Sequence, residues 1–195
     1  MDLKIYLASK SPRRRELLAM TGLEFEVMLM EDLDEDSILS EYPGDVESGS
    51  ERIAREKAGL AISKNIPGIF ITADTLVIAD DGTVLGKPSD KRQAELFLDR
   101  LAGNWHTVST GVAIARLKSS GESKTVSLYE KTRVKFSTMS ESEIKAYIET
   151  GEPFDKAGGY GIQGKASVYV ERIEGCYFNV VGFPLSAFWK MWKSM

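Results

Sequence analysis

Apolar and polar positions along the chain alternate between two rhythms. Lys4-Ile5-Tyr6-Leu7-Ala8 is a short, mostly apolar run of the length of a buried strand. Ser11-Pro12 then reads as a helix start, because serine caps and proline's missing N–H is harmless in a first turn. That helix is expected to run through Leu17-Leu18-Ala19 to Gly22. Phe25 to Met30 reads as a second strand, leading into the acidic stretch Glu31-Asp32-Leu33-Asp34-Glu35-Asp36, taken as a solvated loop. From Val46 to Ala61, Ile53, Ala54, Ala58 and Ala61 recur at helical spacing. Ile69 to Thr72 is the next strand, closed by Ala73-Asp74-Thr75; Leu76 to Ala79 follows, and Asp81-Gly82 marks a turn.

The later half changes character. Asp90 to Leu101 carries Ala94, Phe97, Leu98 and Leu101 on one helical face, with Gly103 just beyond. Two longer strands, His106 to Leu117 and Thr125 to Phe136, flank a polar loop tip at 118–124. Ser140-Glu141-Ser142-Glu143 is a capping box for a helix carrying Ile144, Tyr147 and Ile148, with Gly151 at its exit. Ser167 to Ile173 and Cys176 to Val181 suggest a hairpin around Glu174-Gly175. A last amphipathic segment starts near Pro184; its Phe188 and Trp192 stand four apart, so they and Trp189 read as packing residues and not as a base-stacking platform. Early alternation of strand and helix, then antiparallel pairs, predicts a mixed α/β sheet instead of a purely parallel one. With no repeat and no linker, residues 1–195 read as a single domain.

Composition narrows the chemistry. Apolar residues make up 43% of the 195, enough for a core. The formal charge of −4 argues against a surface built to grip nucleic acid, so no stable nucleic-acid partner is expected. Cys176 is the sole cysteine, which excludes an intrachain disulfide, a zinc finger and a CxxC redox pair. It reads as a strand residue. His106 is the sole histidine, so multi-histidine metal sites are excluded and carboxylates become the natural ligands for a hard divalent ion. Its place at a strand start points to a structural hydrogen bond. No run approaches the roughly 18–20 apolar residues that span a bilayer, and the N-terminus enters a strand instead of a signal segment. No membrane partner is expected, and the default setting is cytosolic.

Several residues could carry chemistry. Ser9-Lys10-Ser11-Pro12-Arg13-Arg14-Arg15 joins a strand to a helix, where free N–H groups, hydroxyls and guanidiniums suit phosphate oxygens. The plainer reading is a capped helix start with surface arginines. Asp74, at a strand end, is either a metal ligand, a base for water or a structural acceptor. Glu35 is the favoured second carboxylate, which the residues alone do not separate from Asp34 or Asp36. Lys57 follows Glu56 and is cheaply explained by a surface ion pair; Lys87, before Pro88, lies in a loop that could reach phosphate. Asp155-Lys156-Ala157-Gly158-Gly159-Tyr160-Gly161-Ile162-Gln163-Gly164 is more distinctive. Its glycines permit close ligand approach, and Gln163 offers the amide pair that reads a base edge, yet the order fits neither a Walker loop nor GxGxxG.

Taken together, these motifs resemble the Maf family of nucleoside triphosphate pyrophosphatases. The resemblance runs from Leu7-Ala8-Ser9-Lys10-Ser11-Pro12-Arg13-Arg14 through Arg55-Glu56-Lys57-Ala58, Ala73-Asp74-Thr75, Gly86-Lys87-Pro88 and the glycine-rich stretch to Asn179-Val180-Val181-Gly182-Phe183-Pro184-Leu185. It implies a mixed, elongated α/β sheet with flanking helices and a cleft between two lobes, similar to the inosine-triphosphate pyrophosphatase architecture. It also implies a homodimer and a need for Mg2+ or Mn2+, held by Glu35 and Asp74. Asp74, Glu35, Lys57 and Lys87 would be catalytic. Ser9, Ser11, Arg13, Arg14, Thr75, Asp155, Lys156 and Gln163 would contact the nucleoside triphosphate. Arg13, Thr75 and Gln163 fit the group acting on dTTP and UTP, with CTP or modified pyrimidines still open, better than the sister group acting on 7-methyl-GTP. The later half looks closest to eukaryotic members. A regulator that binds nucleotide without hydrolysing it is the competing class.

Overall fold

A computed structural model of the chain describes residues 3–30, 33–40 and 45–195. Glu31 and Asp32 of the acidic stretch lie outside the described residues, as does the side chain of Asp36. In chain order the elements are β1 (Ile5–Leu7), α1 (Pro12–Ala19), β2 (Glu26–Val27), α2 (Glu35–Ser40), α3 (Gly49–Ile62), β3 (Gly68–Ala79) and β4 (Val84–Leu85). Then come α4 (Lys91–Leu101), β5 (Trp105–Leu117), β6 (Ser123–Phe136), α5 (Glu141–Ile148), β7 (Val170–Glu174), α6 (Tyr177–Val181) and α7 (Leu185–Lys193).

Among the described residues the strands form one sheet in the order β2-β1-β3-β5-β6-β7, with β4 paired to β3. β1 runs parallel to both neighbours, Tyr6 lying opposite Glu26 and Phe70. β4 is antiparallel to β3 and β7 antiparallel to β6. The mixed α/β sheet with flanking helices is therefore as expected. By its contacts the chain forms two compact units. The first comprises Met1–Asp74, Thr110–Glu130 and Gly182–Met195, and the second Thr75–Ser109 and Lys131–Val181.

In the first unit α1 starts as its sequence dictates: the Ser11 hydroxyl accepts from the Arg14 N–H, and Pro12 occupies the first turn. The helix stops at Ala19, and Gly22 follows at φ +77°, the left-handed conformation that glycine tolerates. The alanine stripe of α3 (Ala54, Ala58, Ala61) packs with Phe70, Ala113 and Ala115. Small side chains let helix and strands approach closely, and at Gly111 the approach is backbone on backbone. A Cβ there would stand 2.2 Å from the Ser50 carbonyl oxygen and 2.3 Å from the Glu51 nitrogen. Gly111→Ala is expected to cost about 3 kcal/mol, because rigid main chain has to retreat. A thermal unfolding midpoint equal to that of the unaltered chain would refute this.

In the second unit Asp90 caps α4 through Gln93, and Ser140 and Glu143 form the expected capping box on α5. His106 is buried, with Nε2 2.7 Å from the Tyr160 hydroxyl and its ring edge-on to Phe136 and Tyr160. The structural reading of this histidine holds. Burial pulls its pKa from 6.5 down to about 3. The folded state thus refuses a proton that the unfolded chain accepts, so stability falls as pH drops from about 6.5 toward about 3. The slope from this group is at most about 1.4 kcal/mol per pH unit. Unfolding midpoints measured from neutral to mildly acidic pH should fall less steeply in His106→Gln; parallel curves would count against the assignment.

Four sequence expectations need correction. The acidic stretch is not all loop: α2 begins at Glu35, and the Asp34 carboxylate accepts from the Ser37 N–H. The strand foreseen over Phe25 to Met30 is only Glu26–Val27. Asp74 does not close a strand but lies within β3, which continues to Ala79. No hairpin forms after Gly175: Cys176 precedes the short helix α6 and is not a strand residue. The cause is a polar network centred on Thr132 Oγ1, which donates to the Cys176 carbonyl and accepts from the Cys176 N–H and from Asn179 Nδ2. Of the aromatic residues on α7, Phe188 is fully buried, whereas Trp189 is exposed. No helix among the described residues is long and apolar enough to cross a membrane.

Candidate active site

Two groups of candidate residues emerge, one in each unit. In the first, β3 and α3 supply the centre. Thr72 donates to the Ala54 carbonyl at 2.6 Å, pinning the strand to the helix two residues before Asp74 and one turn before Lys57. Lys57 Nζ lies 2.6 Å from Asp74 Oδ1 and 2.6 Å from Glu35 Oε1, so one ammonium bridges two carboxylates. Burial is graded across the triad, with side-chain exposures of 8% for Asp74, 19% for Lys57 and 43% for Glu35. The second Asp74 oxygen, Oδ2, is buried without a hydrogen-bond partner. A buried acceptor left open costs about 1–3 kcal/mol and calls for an occupant. Two carboxylates that converge on one ammonium, with one buried oxygen still open, form a donor set that suits a hard cation.

Neighbouring candidates frame this centre. Arg14 gives Nη1 to the Ala73 carbonyl at 2.8 Å and Nε to the Gly182 carbonyl at 3.0 Å. Its guanidinium therefore braces the backbone beside Asp74. Burial lowers the Arg14 pKa, an effect that Asp74 and Glu35 oppose. The Ser9 hydroxyl accepts from the Ser11 N–H, and Ser11 caps α1, so both serines shape the β1–α1 junction on which half-buried Arg13 sits.

The second unit holds the rest. Thr75, half-buried, follows Asp74 in β3. Lys87 is exposed between Gly86 and buried Pro88. The Gly86 carbonyl accepts from the Gly158 N–H at 2.9 Å, which ties the Lys87 loop to the glycine-rich stretch. Gly158, at φ +69°, leaves no room for a Cβ, which would fall 2.8 Å from Val77. Lys156 donates to Asp155 and to the Glu152 carbonyl, its stem packed under Gly161. Gln163 is exposed. Sequence reasoning missed Glu152, whose carboxylate accepts from the Tyr147 hydroxyl and the Lys165 N–H. The available signal was the pair Gly161 and Gly164, glycines without positive φ that instead make space for a neighbour.

A cation-bridged carboxylate pair with an open buried oxygen is a ready acceptor for a proton or a hard cation. Comparison with known proteins gives it a family: residues 4–195 match the model described as Maf-like protein. The chain belongs to the Maf family. It is 45% identical over 188 residues to the dTTP/UTP pyrophosphatase of Carboxydothermus hydrogenoformans, covering 96% of each chain. It is 47% identical over 186 residues to that of Syntrophomonas wolfei, covering 95% of this chain and 94% of the relative. A nucleoside-triphosphatase (dITP/XTP pyrophosphatase) structure from Mycobacterium abscessus aligns over 98% of this chain and 94% of its own, at 13% identity and a TM-score of 0.40.

Proposed function

We propose that this chain hydrolyses dTTP and UTP, with CTP as a further candidate, to the nucleoside monophosphate and pyrophosphate. The observation that carries this reading is the Glu35–Lys57–Asp74 cluster with its open Asp74 oxygen. The kinship with relatives named for that activity supplies the substrate class.

In the proposed reaction a water oxygen bonds to the α-phosphorus while the bond to the bridging oxygen breaks. Pyrophosphate departs with the bonding electrons, and the water gives up a proton. Asp74 Oδ2 is the oxygen available to take that proton or to hold a metal ion, while Oδ1 stays on Lys57. The donor set fits a hard divalent cation. Among the described residues no group of three or more acidic, histidine or cysteine ligands occurs, but Mg2+ is typically held by one or two carboxylates plus substrate phosphate and water. Glu35 and Asp74 would hold Mg2+ or Mn2+, which when bound polarises the phosphate and acidifies coordinated water. Lys57 orients Asp74, and Arg13 and Lys87 offset charge on the triphosphate. Ser9 and Ser11 keep the β1–α1 junction in shape to receive phosphate oxygens. Arg14 braces the backbone beside Asp74; Asp155 and Lys156 support the glycine-rich stretch. Thr75 and Gln163 select the base, since an unmet buried hydrogen bond rejects a wrong partner more strongly than a small apolar mismatch does. A homodimer in the cytosol completes the reading.

The test is hydrolysis of dTTP, UTP, CTP, ATP, GTP and 7-methyl-GTP with Mg2+ or Mn2+, with products identified. Monophosphate plus pyrophosphate from dTTP and UTP is expected. Orthophosphate release would mean a different cleavage, and tight UTP binding without metal-stimulated turnover would replace the enzyme with a nucleotide-binding regulator.

A further inference from the structure

We infer that Glu152 is a positioning residue for base selection, its carboxylate holding the turn that presents Gln163. This rests on the proposed pyrimidine reading and deepens it. The turn spans 161–164 and is closed by the Gly164 N–H donating to the Gly161 carbonyl at 2.9 Å. Its two central residues face opposite ways: Ile162 is buried and Gln163 exposed. A turn so short points a side chain reliably only when both of its ends are fixed.

Both ends are fixed from one place. Glu152 opens a one-turn 3-10 helix, Glu152–Asp155, directly after Gly151 at φ +75°. Its Oε2 accepts from the Lys165 N–H at 2.8 Å, the first amide after the turn. Its Oε1 accepts from the Tyr147 hydroxyl at 3.0 Å, which anchors the carboxylate to α5. A Cβ on Gly164 would lie 2.0 Å from Oε1, so the carboxylate fills the space a side chain would need. At the other end, Gly161 rests on the Lys156 stem, 2.7 Å from Cε by the same measure, and Lys156 itself bonds the Glu152 carbonyl. Neither glycine has positive φ, so close approach and not backbone conformation dictates them. Tyr147 stays a donor because burial, reinforced by Glu152, raises its pKa. A charge-assisted acceptor shared between a core hydroxyl and a turn amide is the kind of support a recognition residue needs to discriminate by hydrogen bonding.

The test is steady-state kinetics of the full chain with Mg2+ on UTP and ATP. Glu152→Ala is expected to raise KM for UTP about tenfold, to leave kcat within about threefold, and to reduce the preference for UTP over ATP about tenfold. Glu152→Gln should stay within about threefold of the unaltered chain. Its amide oxygen can take the Lys165 N–H while its NH2 donates to a reoriented Tyr147 hydroxyl. Because Glu152 acts through Gln163, the pair Glu152→Ala with Gln163→Ala should match Gln163→Ala alone. Should Glu152→Ala not fold, Gly164→Ala carries the test, since it displaces the carboxylate from a backbone that alanine can adopt. Additive effects in the pair, or an unmoved KM and base preference in the folded Glu152→Ala or Gly164→Ala variant, overturn the inference alone. No hydrolysis of UTP or dTTP by the unaltered chain overturns the functional reading itself.

Discussion

Asp74→Asn is expected to cut pyrophosphate release from UTP by at least about a thousandfold while leaving the fold intact. The amide keeps the shape of the carboxylate, and its oxygen can still accept from Lys57. It loses the anionic Oδ2, the one atom of the cluster that is buried with no partner. An amide takes neither a water proton nor a divalent ion with comparable affinity, so both roles open to Asp74 fail together. Unfolding should shift by no more than about 1–2 kcal/mol, because Lys57 retains Glu35 at 2.6 Å. Product analysis and a denaturation curve on the same preparation check this. Undiminished pyrophosphate release would remove Asp74 from the chemistry.

Lys57→Met should harm both activity and stability. It strips the shared cation from Asp74, 8% exposed, and from Glu35, 43% exposed. Breaking a fully buried pair costs about 3–5 kcal/mol, and half-exposed Glu35 brings the expectation here to about 2–3 kcal/mol. The loss comes from stranding a buried carboxylate, so neutralising that carboxylate should relieve it. Lys57→Met combined with Asp74→Asn is expected to recover about 1 kcal/mol or more relative to Lys57→Met alone. Strict additivity in denaturant unfolding would show that the ion pair does not bear on stability.

What the sequence revealed follows the range of the forces involved. The caps at Ser11 and Ser140 were legible because each satisfies an N–H only three residues away. The α3 alanine stripe was legible because it repeats at helical spacing. The short helix α2 was not, since six residues do not hold a helix unaided and Glu35 is tied down by Lys57, 22 residues on. The false hairpin at 176–181 has the same origin: Asn179 bonds partners 71 and 47 residues away. At the site, Lys57 beside Glu56 looked like half of a local ion pair, and family resemblance, not spacing, singled it out. Glu152 escaped notice because an acidic residue before proline in a polar loop resembles any solvated turn. Its task is recorded only in the glycines that step aside for it.

The burial of His106 bears on how kinetic data from this enzyme candidate are to be interpreted. The chain has a single imidazole, and that imidazole stays neutral down to about pH 3. Histidine is the side chain that ordinarily bends a rate profile between about pH 5 and 8. His106 therefore supplies no such inflection here. A bend seen in that interval comes from elsewhere than the histidine, and varying the metal or the nucleotide tests metal-bound water and the nucleotide's own terminal phosphate as its source without altering a single residue.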